Sequence, residues 1–385
     1  MASKDSDVSE PANLREWLKG VIGRTGPMPV ENFMHHCLMH ERFGYYRTKP
    51  AIGAAGDFIT APEISQVFGE LIGIWTAAAW AGLGEPKRWR LIEPGPGRGT
   101  LMADLLRALK VLPAARAGVE VVLVEANMLL TEQQRTVLAA SGVPMRWLED
   151  TAALAGLEPL PTLLIANEFL DALPISQQVA VGGQWHERCV VIGSGDVSAC
   201  QSTPHPVPLP SGEGQGEGLS FAAGSAVIDT LCDAPEGAIR EIMKASSALI
   251  AGRAKQSAHA YHLFIDYGHV GPVYGDTLQA VQNHRYVDPL ATAGEADLSA
   301  QVDFAQIAAA ARECGLDAYG PITQAEFLGR LGAAERLERL TRGTDAATVQ
   351  AMQTGLARLM QPSGMGGRFK ALALASKGLA RPPVF

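Results

Sequence analysis

Apolar residues follow two periods along the first half of the chain. Short continuous runs at 89–93, 119–124, 144–148 and 161–166 are rich in Val, Leu and Ile and read as buried strands. Segments 99–110 and 128–141 lie between them and repeat apolar positions at helical spacing, with Leu101, Leu105, Leu106 and Leu109 on one face. Strands alternating with helices predict parallel pairing through right-handed crossovers.

The flanks have other patterns. Amphipathic helices are expected at 13–22 and 29–40. A longer helix opens at Gln66, with Ser65 as its cap and Val67, Phe68, Leu71, Ile72 and Trp75 facing inward. Segment 175–192 alternates around Gly182-Gly183 and reads as a hairpin. Beyond it the pattern predicts a helix at 237–253, a strand at 262–266, polar loops over 277–304, helices near 303–314, 323–331, 333–342 and 345–360, and a last strand at 369–375. Residues 202–218, STPHPVPLPSGEGQGEG, have no period and read as a flexible insertion. The expected fold class is α/β, a Rossmann-like doubly wound sheet with helical N-terminal and C-terminal additions. The expected organisation is an N-terminal helical region with a lid loop (1–85), a binding core (86–200), the insertion (201–218), and the rest of the sheet with helical additions (219–385).

Composition narrows the function classes. A net charge of -8 argues against nucleic-acid binding, and no run approaches the roughly 20 apolar residues of a membrane span. The five cysteines are scattered with no C-x-x-C, so neither a metal site nor a disulfide framework is expected. The opening residues, MASKDSDVSEP, resemble neither a secretory signal nor a transit peptide, which sets the expectation of a cytoplasmic protein.

Candidate chemistry starts where the first strand ends. Glu93 is followed by Gly95, Gly97 and Gly99, and Thr100 opens a helix. Glycines there permit positive φ and close approach of the backbone to a ligand. The E-x-G-x-G-x-G spacing differs from the dinucleotide fingerprint, G-x-G-x-x-G. A carboxylate would repel a pyrophosphate but suits a cation, and S-adenosylmethionine carries a sulfonium and an α-amino group. Glu125, at the tip of the second strand, suits a ribose diol. The Glu149-Asp150 tip and Asn167-Glu168 are expected to gather at the same end of the sheet, where such folds bind ligands.

Three further clusters admit two readings each. Thr60, Glu63 and Ser65, with Asp57 before them, are either local turn chemistry or a lid over the ligand. Glu168 and Asp171 share one face if their turn is helical. They are either acids favoured by a helix start or a pair that grips a guanidinium. His284 is either a base or substrate contact, or a hydrogen-bonded structural histidine.

Several motifs together carry a family resemblance: GDFITAPEISQVFGE (56–70), IEPGPGRGTLMADLLR (92–107), VLVEAN (122–127), ANEFLDALPI (166–175), IDYG (265–268), QAEFLGRLG (324–332) and PSGMGGRFKALA (362–373). The chain resembles the MidA-type methyltransferases, the family of the mitochondrial complex I assembly arginine methyltransferase and its bacterial relatives. Two positions depart from the family pattern: Pro94 where Leu is usual, and Gln301 where His is frequent, so no catalytic base is carried over at 301. The resemblance implies transfer of a methyl group from S-adenosylmethionine to an arginine of a partner protein, such as a respiratory complex I subunit. It points to Glu168 and Asp171 for the acceptor, and to Glu93, Gly95, Gly97, Gly99, Glu125, Asn167, Thr60 and Glu63 for the donor. A homodimer is a further expectation. The rival readings are a methyltransferase for a small molecule or another side chain, and a non-catalytic assembly factor with a vestigial pocket.

Overall fold

The computed structural model describes residues 10–49, 59–193, 218–229, 232, 234–256 and 259–385. They form two compact units, each assembled from three stretches of chain. One, here the sheet unit, comprises Pro50–Ile175, Ile242–Val273 and Ser299–Phe385. The other comprises Met1–Lys49, Ser176–Glu241 and Tyr274–Leu298. The linear reading divides the chain at 85/86, 200/201 and 218/219 instead. Compactness follows contacts between distant segments, whereas a linear reading registers only shifts in composition. The insertion expected at 202–218 lies outside the described residues except for Gly218.

The sheet unit is built in chain order from α1 (Ala61–Ile64), α2 (Gln66–Gly82), β1 (Trp89–Pro94), α3 (Thr100–Ala108), β2 (Val119–Val124), α4 (Met128–Leu138), β3 (Met145–Leu148), β4 (Thr162–Asn167), α5 (Lys244–Gln256), β5 (Ala260–His269), α6 (Phe304–Glu313), β6 (Leu316–Thr323), α7 (Gln324–Arg330), α8 (Ala333–Thr341), α9 (Ala346–Met360) and β7 (Phe369–Ser376). Its principal strand order is β6-β7-β5-β4-β1-β2-β3. The five strands from β5 to β3 are parallel, and β7 and β6 add antiparallel at one edge. The order reverses between β1 and β4, which gives the crevice at the carboxyl ends where such sheets take ligands.

Every residue of β1 and β4 is buried. These central strands carry Trp89, Leu91, Leu163 and Ile165 into a core shared with Phe68, Trp75 and Leu105 of α2 and α3. Ser65 caps α2 as expected, its side chain accepting from the Val67 N–H. Three expectations change. The helix expected over 237–253 starts only at Lys244, because Gly237 takes φ +77 and Ile239–Ile242 forms a strand. Strand β6 was hidden by Gly320-Pro321, which interrupts its alternation where the register shifts. The loops expected over 277–304 include a three-stranded sheet of Gln279–Gln282, Arg285–Val287 and Asp297–Ser299.

The second unit contains helices Leu14–Thr25 and Val30–Met39 and an antiparallel sheet. In that sheet the hairpin Ser176–Val181/Gln184–Ile192 is joined by Leu219–Asp229, Met28–Pro29 and Ile239–Ile242. Gly182 and Gly183 both take positive φ at the expected turn. Among the described residues, no helix is long and apolar enough to cross a membrane.

Candidate active site

The turn after β1 is the floor of an open cleft of about 380 Å³, counting its mouth. Gly95, Gly97 and Gly99 have φ +63, +53 and +83, so all three use the freedom the spacing implied. Gly95 is also kept small by a neighbour: a Cβ there would come within 2.8 Å of Phe169 Cδ2. Gly99 ends the turn as the N-cap of α3, whose first N–H groups are left without a side-chain cap. Gly95 and Gly97 line the cleft; Gly99 supports it from behind.

Glu93 lines the same cleft and is only 3% exposed. Burial pushes its carboxyl up to about 8. Among the described residues its Oε2 has no hydrogen-bond partner, and neither does Oδ1 of Asn167, which lines the cleft from the tip of β4. Two buried acceptors without donors in one cleft are an unmet demand for hydrogens. An ammonium group, with three donors, answers it.

Glu125 is at the tip of β2 but does not line this cleft. One oxygen accepts from the Asn127 N–H at 2.8 Å and the other from Gln134 Nε2 at 3.1 Å. Burial raises its carboxyl to about 7. Gln134 was not anticipated. It is fully buried in α4, donates also to the Gly97 carbonyl at 2.7 Å, and accepts from Trp147 Nε1. It therefore ties the glycine turn to the Glu125 tip. A polar residue at an inward position of an otherwise apolar helix face was the one available signal.

Thr60 and Glu63 also line the cleft. Glu63, in α1, accepts from Arg98 Nη1 and Thr100 Oγ1, each at 3.1 Å, so α1 is fastened to the glycine turn. Asp57 lies outside the described residues.

The tip of β4 departs most from expectation. Residues 168–173 form bends and a turn, not a helix, so Glu168 and Asp171 do not share a helical face. Glu168 has φ +51, which is disfavoured for any residue with a Cβ. Its side chain is half-buried and lines the cleft. Oε1 accepts from the Ala61 N–H at 2.8 Å and from Asn167 Nδ2 at 3.1 Å. Oε2 takes no bond from the described residues. Desolvation raises the Glu168 carboxyl above its ordinary range. Asp171 is not among the cleft residues. Its N–H instead donates to Asp266, a buried acid of β5 that the linear pattern did not single out.

Other candidates separate from the cleft. His284 is exposed and, with Asn283, forms the positive-φ turn between two short strands of the second unit. Asp150 accepts from the Ala153 N–H, closing a local turn. Gln301 donates to the Tyr267 hydroxyl at 3.3 Å. Among the described residues, no cluster of His, Cys, Asp and Glu is arranged to hold a metal.

The chain is similar to known methyltransferases. A family model for S-adenosyl-L-methionine-dependent methyltransferases matches residues 71–322. The mitochondrial protein arginine methyltransferase NDUFAF7 homologue of Drosophila melanogaster is 32% identical over 94% of this chain and 84% of its own length. The mitochondrial protein arginine methyltransferase NDUFAF7 of Homo sapiens is 32% identical over 92% and 81%. A crystal structure of a protein from Burkholderia thailandensis, bound to S-adenosyl-homocysteine, superposes with a TM-score of 0.78 at 26% identity, covering 96% of this chain and 93% of that one. The expectation of a cytoplasmic protein does not stand, because the curated relatives are mitochondrial by name. With its glycine turn, its parallel sheet and these relatives in agreement, the chain belongs to the family of S-adenosylmethionine-dependent methyltransferases.

Proposed function

We propose that this methyltransferase acts on an arginine side chain of a partner protein. The observation that carries the reading is Glu168: a half-buried carboxylate that lines the cleft, with one oxygen fixed by Ala61 and Asn167 and the other taking no bond from the described residues. A guanidinium is always protonated in water and spreads its charge over three nitrogens. A carboxylate aimed at one edge orients it and draws the charge away from the attacking nitrogen. As that nitrogen gains a methyl group it gives up a proton, and Glu168 Oε2 is the receiving atom. A carboxyl whose pKa is raised by burial is a better base for this step than an exposed one.

On the donor side, S-adenosylmethionine supplies a methyl group on an already activated sulfonium. Glu93 Oε2 and Asn167 Oδ1 fit its ammonium, since both are buried acceptors without a donor. The backbone of Gly95 and Gly97, supported by Gly99, accommodates the methionine end. Thr60 and Glu63 form the wall that excludes water, while Glu125 keeps the ribose assignment only from its place at the tip of β2, outside the cleft lining. Asp171 is left out of the acceptor contacts because it does not line the cleft.

The mitochondrial relatives named as arginine methyltransferases support the choice of arginine over a small molecule. The motifs shared with the MidA-type family make a respiratory complex I subunit the candidate partner. The reading is tested by incubating the purified chain with labelled S-adenosylmethionine and that subunit, then mapping the label. Label on an arginine, lost with Glu168→Gln, is expected. Label on another residue type overturns the arginine reading.

A further inference from the structure

The backbone at Glu168 poses a question that its side chain does not answer. Left-handed φ is disfavoured outside glycine, and something must hold it. The conformation turns three successive N–H groups, those of Phe169, Leu170 and Asp171, toward one point. Oδ2 of Asp266 occupies that point, accepting from them at 3.0, 2.7 and 3.3 Å. Oδ1 of the same residue accepts from the Tyr267 N–H at 2.8 Å. The Glu168 N–H donates to the neighbouring carbonyl of Ile265 at 2.9 Å. Residues 168–171 are thus held by two consecutive positions of β5.

Successive N–H groups curled in this way form a concave anion site, which a carboxylate fills more strongly than a neutral acceptor. Asp266 is 1% exposed and lies beside Glu168, a half-buried acid whose charge disfavours its own. Closing a turn does not require an acid to be buried beside another acid. The arrangement makes sense when the position of the second acid matters.

We propose that Asp266 is a positioning residue for methyl transfer, its carboxylate holding the 168–171 turn in the conformation that aims Glu168 into the cleft. The inference rests on the reading of Glu168 as the residue that meets the acceptor.

The test compares the full-length wild type with Asp266→Asn, Glu168→Gln and the double variant. Three quantities are measured: S-adenosylhomocysteine affinity by calorimetry, amide exchange over 167–172 in the homocysteine-bound protein, and kcat for transfer to an arginine-containing peptide. Asp266→Asn is expected to speed exchange at 169–171 by about tenfold, the loss of a hydrogen bond to a charged acceptor. Donor-site affinity should stay within about twofold, the limit of independent sites. Transfer should fall about 100-fold, the effect of a misplaced reacting group. In the Glu168→Gln background the same change should cost no more than about twofold, since both act through one carboxylate.

Unchanged exchange in Asp266→Asn overturns the proposal. So does a loss of donor-site affinity equal to the loss of transfer, or full additivity in the double variant. Asp266→Glu keeps the charge but lengthens the side chain. If Asp266→Asn does not fold, faster exchange at 169–171 in Asp266→Glu with retained donor affinity supports the proposal, and unchanged exchange overturns it. A wild type inactive on arginine sinks the acceptor reading alone, because exchange in the homocysteine-bound protein still decides whether Asp266 holds the turn.

Discussion

Two strand tips face the same cleft and solve the same problem by different means. At the tip of β1, Gly95, Gly97 and Gly99 take positive φ because glycine has no Cβ to oppose it. At the tip of β4, Glu168 takes positive φ because Asp266, 97 positions from Phe169 in sequence, holds the N–H groups that follow. The first conformation is intrinsic to the residues and the second is imposed by a neighbouring strand. The difference matches what each tip does. In the proposed function the β1 tip serves the donor with its backbone and can be made of glycine. The β4 tip, proposed to meet the acceptor, presents a carboxylate, so it carries a side chain where the backbone would prefer none.

The comparison is tested most severely at Glu168. Glu168→Gln keeps the shape and the bonds to Oε1 but loses the charge. Transfer should fall about 1,000-fold with donor affinity within about twofold, measured by steady-state kinetics and calorimetry. Comparable loss of both would mean that the two tips are not functionally distinct. Next is Gly97→Val, which puts a β-branched residue at φ +53. Donor affinity should fall about 100-fold, the equivalent of the upper range for such strain. Retained affinity would show that the glycine turn is not the donor site.

A subtler difference lies in proton uptake. Glu93 ionises near its ordinary value of 4.5 in the unfolded chain but keeps its proton to about 8 when folded. The folded state therefore binds more protons across that window, and stability falls as pH rises from about 4.5 to about 8. Melting of the ligand-free protein should show this slope, and Glu93→Gln should flatten it without abolishing it, since Glu125 is raised in the same direction, to about 7. An unchanged slope in Glu93→Gln would remove Glu93 from the account. The smallest expected effect is that of Gly99→Ala. Its Cβ would meet only ordinary contacts, Gln134 Cγ at 3.5 Å, so the change isolates the backbone term at φ +83. A loss of about 1 kcal/mol in denaturant melts is expected. A loss several times larger would mean that side-chain space, not backbone freedom, dictates glycine in this turn.

What the chain discloses in linear form is what depends on nearest neighbours. The parallel strands, the helices between them, the Ser65 cap and the glycine turn all follow from periods and residue types within a few positions. The spacing Glu93-x-Gly-x-Gly-x-Gly singled out a turn of positive-φ glycines at the cleft because both its conformation and its charge are properties of those residues. The acceptor side was legible only as composition. Glu168 and Asp171 stood three apart, but a turn that is not helical separates them, and only one reaches the cleft. Gln134 and Asp266 gave little signal, because each acts through bonds to residues that only folding brings near. The same holds for the two units, whose boundaries are set where the chain leaves the sheet and returns. The sequence by itself determined the elements and the glycine turn, since local sterics and hydrophobic period fix them. Tertiary structure decided which carboxylate opens to the cleft and what holds it there, because a disfavoured backbone persists only when a distant partner stabilises it.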